Sequence, residues 1–175
     1  MSLIAVQTPE TATGATAEMF EQFRQMLGSV PLPLQMMGIS PPLLSAFAST
    51  VGYFHGGQQE LDPLLLTWIR YLNAHRQACH FCVDMNAGML LQMGVTLQQL
   101  AMAREAPATI PLPDKEKTML LFVLEVIQND KGATPEAIAA LRAHGYSERA
   151  IFECVAAAAT SLYLDTLMNV FQVEE

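Results

Sequence analysis

Apolar residues recur at intervals of three and four along nearly the whole chain, and no useful length alternates with period two. This pattern predicts helices and no sheet. Ala17, Phe20, Phe23 and Leu27 set a stripe over Thr13–Leu27 that Gly28 ends. Ser29-Val30-Pro31-Leu32-Pro33 reads as a turn, and a short helix over Leu34–Met37 follows. Pro41 and Pro42 suit the first turn of a helix carrying Leu44, Phe47, Val51 and Phe54, which Gly56-Gly57 breaks. Asp62-Pro63 is an N-cap and first-turn pair opening a helix with a stripe of Leu65, Trp68, Ile69 and Leu72.

A second apolar-periodic segment, Val83–Met93, is closed by Gly94, and Thr96 then caps a helix through Arg104. Ala106–Pro113 reads as a loop, and Asp114 as the cap of a helix with Met119, Phe122, Val123 and Val126, stopped by Gly132. Thr134-Pro135 opens a short helix to Ala143, and Ser147 opens a long last one to about Phe171. The expectation is an all-α protein of seven to nine helices in one domain over residues 1–175, with 1–12 an extended N-terminal arm. A chain of this length can bury roughly 70% of its unfolded surface.

Composition adds an assembly to this picture. The chain is 51% hydrophobic and only 15% charged, more apolar than a monomer of this size needs, which predicts helix faces covered in a homo-oligomer. The net charge of −8 excludes nucleic acid and anionic membrane as partners, because both require a basic patch. The first residues, Met1–Val6, lack the basic region of a secretory signal. Ile151–Phe171 is the most apolar long stretch, but Glu153 and Asp165 within it predict a buried helix rather than a membrane span.

The chemistry concentrates at Cys79-His80-Phe81-Cys82, a CxxC at the join of two predicted helices. Cysteines so spaced can close a disulfide, and a thiol at a helix start feels the free amides and positive dipole end that favour its thiolate. Three cysteines, two of them in a CxxC, predict a reducing cytoplasm and a redox or metal role rather than a secreted disulfide framework. Zinc is the rival ligand, with His75 or His80 as a third donor, but no second CxxC or HxxxH completes a site. The plain alternative is two small residues packed at a helix start. Cys154, beside Val155 and a run of alanines, reads as a core thiol, and His144 as a cation at a helix C-terminus. Trp68, Met85, Met89 and Met93 follow helical spacing and read as core or subunit interface.

The CxxC with its helical flanks over Leu64–Met93, the lead-in Gly28-Ser29-Val30-Pro31 and Ser40-Pro41-Pro42-Leu43-Leu44 together resemble the AhpD-like, carboxymuconolactone-decarboxylase superfamily, in its peroxidase-related branch. The likeness covers roughly residues 10–172. It implies an AhpD-like multi-helix bundle and a thiol-dependent peroxidase, an oxidoreductase that needs no cofactor. Its substrate would be a small-molecule hydroperoxide and its reductant an external dithiol. Cys82 would be the peroxide-reactive thiol and Cys79 the resolving, donor-facing one. The peroxidase branch pairs its CxxC with a histidine four residues after the second cysteine and a glutamate twelve before the first, where this chain has Asn86 and Thr67. Neither side chain acts as a base near neutral pH. A relay would therefore be rebuilt from His80, His75, Asp84, or from Glu60 or His55 of the preceding segment. The second reading is a catalytically degenerate AhpD-like scaffold that binds a small ligand or partner subunits without redox turnover.

Overall fold

A computed structural model describes residues 2–57, 60–129 and 131–173; the expectation of a solvated tail at Glu174-Glu175 lies outside them. The described residues form nine α-helices and contain no strand. In order these are α1 Gly14–Leu27, α2 Leu32–Met37, α3 Pro41–His55, α4 Pro63–Gln77, α5 His80–Gln92, α6 Leu97–Glu105, α7 Asp114–Val126, α8 Pro135–Ala143 and α9 Glu148–Val170, with one 3-10 turn at Pro107–Thr109. The fold is all-α.

Side-chain caps fix several helix starts. Asp62 accepts from the amides of Leu64 and Leu65, Thr96 and Gln99 form a reciprocal capping box, and Thr134 accepts from Ala137 N–H. These satisfy amides that a helix start otherwise leaves free. Two starts differ from expectation. Helix α2 begins at Leu32 rather than Leu34, because Pro31 sits at its N-cap and Pro33 in its first turn, where a missing N–H costs nothing. Helix α7 has Pro113 at the N-cap, and Asp114 is its first residue. With Glu116, Asp114 places negative charge in the first turn, where it meets the positive end of the helix dipole.

Two compact units are formed. Met1–Gln58 with Leu167–Glu175 makes one. In it α3 packs on α1 and α2, and Gly38 lies so close to Phe20 that a Cβ would stand 2.6 Å from that ring. The arm lacks regular structure up to Thr13 and is tied down by hydrogen bonds from Leu3 N–H to Phe171 O (2.8 Å) and from Gln7 N–H to Gln35 O (3.2 Å).

Gln59–Thr166 makes the other unit. Its centre is α4, which packs on α5, α6 and α7 and buries Leu65, Trp68, Ile69, Tyr71 and Leu72. Side chains this large each contribute about 1.5–3 kcal/mol when withdrawn from water. Asn73 Nδ2 of α4 donates to Ser161 Oγ of α9 at 3.2 Å, which ties α9 to α4 at this point and sets one face of α9 inward. That face carries Ala150, Cys154, Ala158 and Asp165, each at most 2% exposed. Helix α9 is long and apolar enough to cross a membrane by length and composition. Two of its three carboxylates, Glu153 and Asp165, are nevertheless buried in the protein.

Candidate functional site

The join of α4 and α5 is a single tight turn. Ala78 adopts a left-handed conformation at φ 55°, and Cys79 N–H donates back to Ala74 O (3.0 Å) while Ala78 N–H donates to His75 O (3.2 Å). This closes the carbonyl end of α4 in a Schellman-type turn. Cys79 thereby ends one helix and is the N-cap of the next, with no side-chain cap hydrogen bond. A thiolate at that position faces amides that lack another partner. An alanine with a positive φ costs roughly 1–2 kcal/mol, so the turn that sets the cysteine at the helix start is strained.

Cys79 and Cys82 form a disulfide with their Cα atoms 5.3 Å apart. They are 2% and 1% exposed, so burial does not distinguish the two thiols. The third cysteine, Cys154, is fully buried, and burial pushes its thiol up to about 12. It is a core thiol with almost no thiolate at neutral pH, as expected from its apolar neighbours.

Thr67 and Asn86, at the two relay positions, come together through a residue the sequence did not single out. Arg70 Nη2 donates to Thr67 Oγ1 at 2.9 Å and Arg70 Nε to Asn86 Oδ1 at 3.1 Å. Asn86 Nδ2 donates onward to Cys82 O at 2.7 Å. Burial lowers Arg70 to about 10, which still leaves it charged at neutral pH. The two positions thus hold a fixed cationic bridge from α4 to the CxxC helix rather than a proton relay. The Arg70→Ala variant is expected to lose about 1–3 kcal/mol of stability, because it strands the Thr67 and Asn86 acceptors. A lower urea midpoint at unchanged slope would show it.

His75, His80 and Asp84 are exposed, and the structure does not gather them with the sulfurs. Glu60 accepts from Ser147 Oγ at 2.8 Å, at the start of α9, and the side chain of His55 lies outside the described residues. The acidic group at the thiols is Asp165. A carboxylate oxygen of Asp165 and both sulfurs lie within 4.8 Å of one another. Asp165 is 2% exposed, and its Oδ2 has no hydrogen-bond partner among the described residues. The register explains its arrival. Asp165 is one helical turn beyond Ser161 on the same face, and the Asn73 contact turns that face toward α4. The sequence held a signal for it, a carboxylate in phase with Ala150, Cys154 and Ala158, but read it only as a reason against a membrane span.

Burial disfavours the ionised carboxylate and raises Asp165 from 3.8 to about 7. The folded protein therefore holds this proton more tightly than the unfolded chain does. Stability should fall as pH rises from about 4 to about 7, and level off above, by at most a few kcal/mol. Urea denaturation of wild type and Asp165→Asn with a chelator present checks this: the variant should lose that part of the slope and be relatively more stable above pH 7.

No protein-family model matches the chain, and no curated protein matches it by sequence. Solved structures do match its fold. An uncharacterized peroxidase-related protein from Silicibacter sp. TM1040 superposes with a TM-score of 0.86 at 18% identity, covering 99% of this chain and 91% of its own. A second uncharacterized peroxidase-related protein, from Ralstonia eutropha JMP134 and described as an alkylhydroperoxidase AhpD core, gives 0.85 at 16% identity over 99% and 91%. The debrominase Bmp8 gives 0.77 at 19% identity over 99% and 92%. The chain has the AhpD-like helical fold, and its Cys79–Cys82 pair fits a CxxC redox role.

Proposed function

We propose that the protein is a thiol-dependent oxidoreductase that reduces hydroperoxides through Cys79 and Cys82, with Asp165 taking the place of the missing relay. The observation that carries this reading is the buried Asp165 carboxylate beside both sulfurs. A group with its pKa raised to about 7 is suited to accept a thiol proton and return it near neutral pH. Asp165 withdraws the proton of Cys82, and the thiolate attacks the terminal peroxide oxygen. The O–O bond breaks, the alcohol leaves with a proton, and Cys82 becomes a sulfenic acid. Cys79 attacks that sulfur, the S–S bond forms, and water leaves. In sum, two thiols and one hydroperoxide give one disulfide, one alcohol and one water. An external dithiol reduces the pair again by exchange at Cys79. The assignment of attacking and resolving roles follows the resemblance to the peroxidase branch.

A reducing cytoplasm suits a dithiol that must be restored after each cycle. Assembly into a homo-oligomer belongs to the same reading, supported by Leu97 and Phe152, both 73% exposed, and is checked by light scattering on the purified protein.

The direct test counts free thiols before and after one equivalent of hydroperoxide, with mass spectrometry to locate the disulfide. Two thiols should be lost, at Cys79 and Cys82, in wild type and equally in Cys154→Ala. A pair that stays reduced under excess peroxide overturns the proposal, and the scaffold reading then stands.

A further inference from the structure

The same three side chains raise a question that electron transfer does not answer. Asp165 Oδ2 is buried without a hydrogen-bond partner among the described residues, and an ionised carboxylate in that state is costly unless something positive pairs with it. Arg70, the charged bridge between α4 and α5, directs its described hydrogen bonds to Thr67 and Asn86. A proton satisfies the neutral acid, whereas the ionised carboxylate calls for a cation, and the two sulfurs beside this side chain define which kind.

Two thiolates and one carboxylate suit a thiophilic ion of the zinc class, and two cysteines separated by two residues are a common chelating spacing for it. In a tetrahedral site, metal–sulfur bonds of about 2.3 Å and a metal–oxygen bond of about 2.0–2.2 Å set the donors roughly 3.5–3.8 Å apart. The three donor atoms already lie within 4.8 Å of one another, and the Cα atoms of the cysteines are 5.3 Å apart. Reduction of the disulfide and small side-chain rotations bring them to that spacing. The histidines that the sequence offered as third ligand, His75 and His80, are exposed and are not gathered with the sulfurs. The third donor comes instead from α9.

We infer that the reduced dithiol and Asp165 form a redox-gated site for a thiophilic divalent cation, held by Cys79 Sγ, Cys82 Sγ and one Asp165 oxygen, with the fourth position open. Binding replaces two S–H bonds by two metal–sulfur bonds and releases the two thiol protons, together with the Asp165 carboxyl proton where that group is protonated, with no electron transferred. Oxidation by a peroxide or another two-electron oxidant joins the sulfurs, removes both thiolates and expels the ion. The bound ion in turn occupies the lone pairs that peroxide attack requires, so metal and peroxide compete for one site. The competition rests on the redox reading above; the binding does not.

The test uses the reduced, chelator-stripped full chain, titrated with Zn²⁺ by calorimetry and with Co²⁺ by absorbance. One ion per chain and sulfur-to-cobalt charge-transfer bands are expected. Oxidation with diamide, which does not depend on peroxide chemistry, should abolish both, and reduction should restore them. Asp165→Asn should weaken Zn²⁺ by on the order of 100-fold or more, beyond the effect of a typical outer partner, with its far-UV circular dichroism unchanged. The double variant His75→Ala, His80→Ala should bind as wild type does. Infrared difference spectra of the wild type should show carboxylate bands that shift on Zn²⁺ addition, which tests Asp165 even where its variant fails to fold. A reduced protein whose thiols titrate but which takes up no Zn²⁺ overturns the site and leaves the peroxidase reading standing. Binding that survives diamide, or an infrared spectrum without carboxylate shifts, overturns the gating or the ligand set respectively. Thiols inert to hydroperoxide in a protein that still binds Zn²⁺ overturn the peroxidase reading and support the site.

Discussion

Cys79→Ser and Cys82→Ser are each expected to abolish steady-state peroxide reduction, the largest effect any single change should have on this protein. The reason is stoichiometric. The cycle needs one sulfur to take the oxygen and another to expel it as water, and a serine hydroxyl does neither at neutral pH. The two variants should fail differently. With Cys82 attacking, Cys79→Ser accumulates a sulfenic acid that dimedone traps, whereas Cys82→Ser does not react. The opposite pattern would exchange the roles of the two cysteines and leave the dithiol mechanism intact. Turnover that persists in both would remove the CxxC from the chemistry.

Asp165→Asn should slow peroxide-driven disulfide formation by about 100-fold, the usual scale of a lost general base. Its signature is a change in pH dependence. Burial raises the Asp165 carboxyl to about 7, so its basic form, and with it the wild-type rate, grows as pH rises through about 7. In the variant that inflection should vanish, leaving only the ionisation of the attacking thiol. Stopped-flow thiol oxidation in the presence of a chelator measures this without interference from bound metal. A variant that keeps both the rate and the inflection would return the proton transfer to another group. The same substitution is expected to stabilise the fold above pH 7, so the buried carboxylate costs stability where the proposed chemistry uses it. Such an exchange is common at working sites.

The AhpD-like fold is shared by proteins described as peroxidase-related and by a debrominase. The helical frame therefore does not by itself select the substrate. Thr67 and Asn86 meet across α4 and α5 through Arg70, and the acid near the thiols comes from α9.

Much of the frame follows from sequence because its causes are local. Asp62, Thr96 and Thr134 cap helices from within three residues, and Gly28 ends α1 with a left-handed turn. The CxxC is legible for the same reason, since its spacing and its place at a helix start are properties of a few consecutive residues. Even the local boundary errors have a local origin: prolines at 31, 33 and 113 are compatible with both a turn and a first helical turn. The partners of the thiols are another matter. His75, His80 and Asp84 are near Cys79 and Cys82 along the chain, yet a helix directs neighbouring side chains to different faces, and these three point to solvent. Asp165 is more than eighty residues away, and only the tertiary placement of α9, tied to α4 through Asn73 and Ser161, sets its carboxylate beside the sulfurs. Chain proximity determined where the cysteines sit; the register between two helices decided which acid they meet.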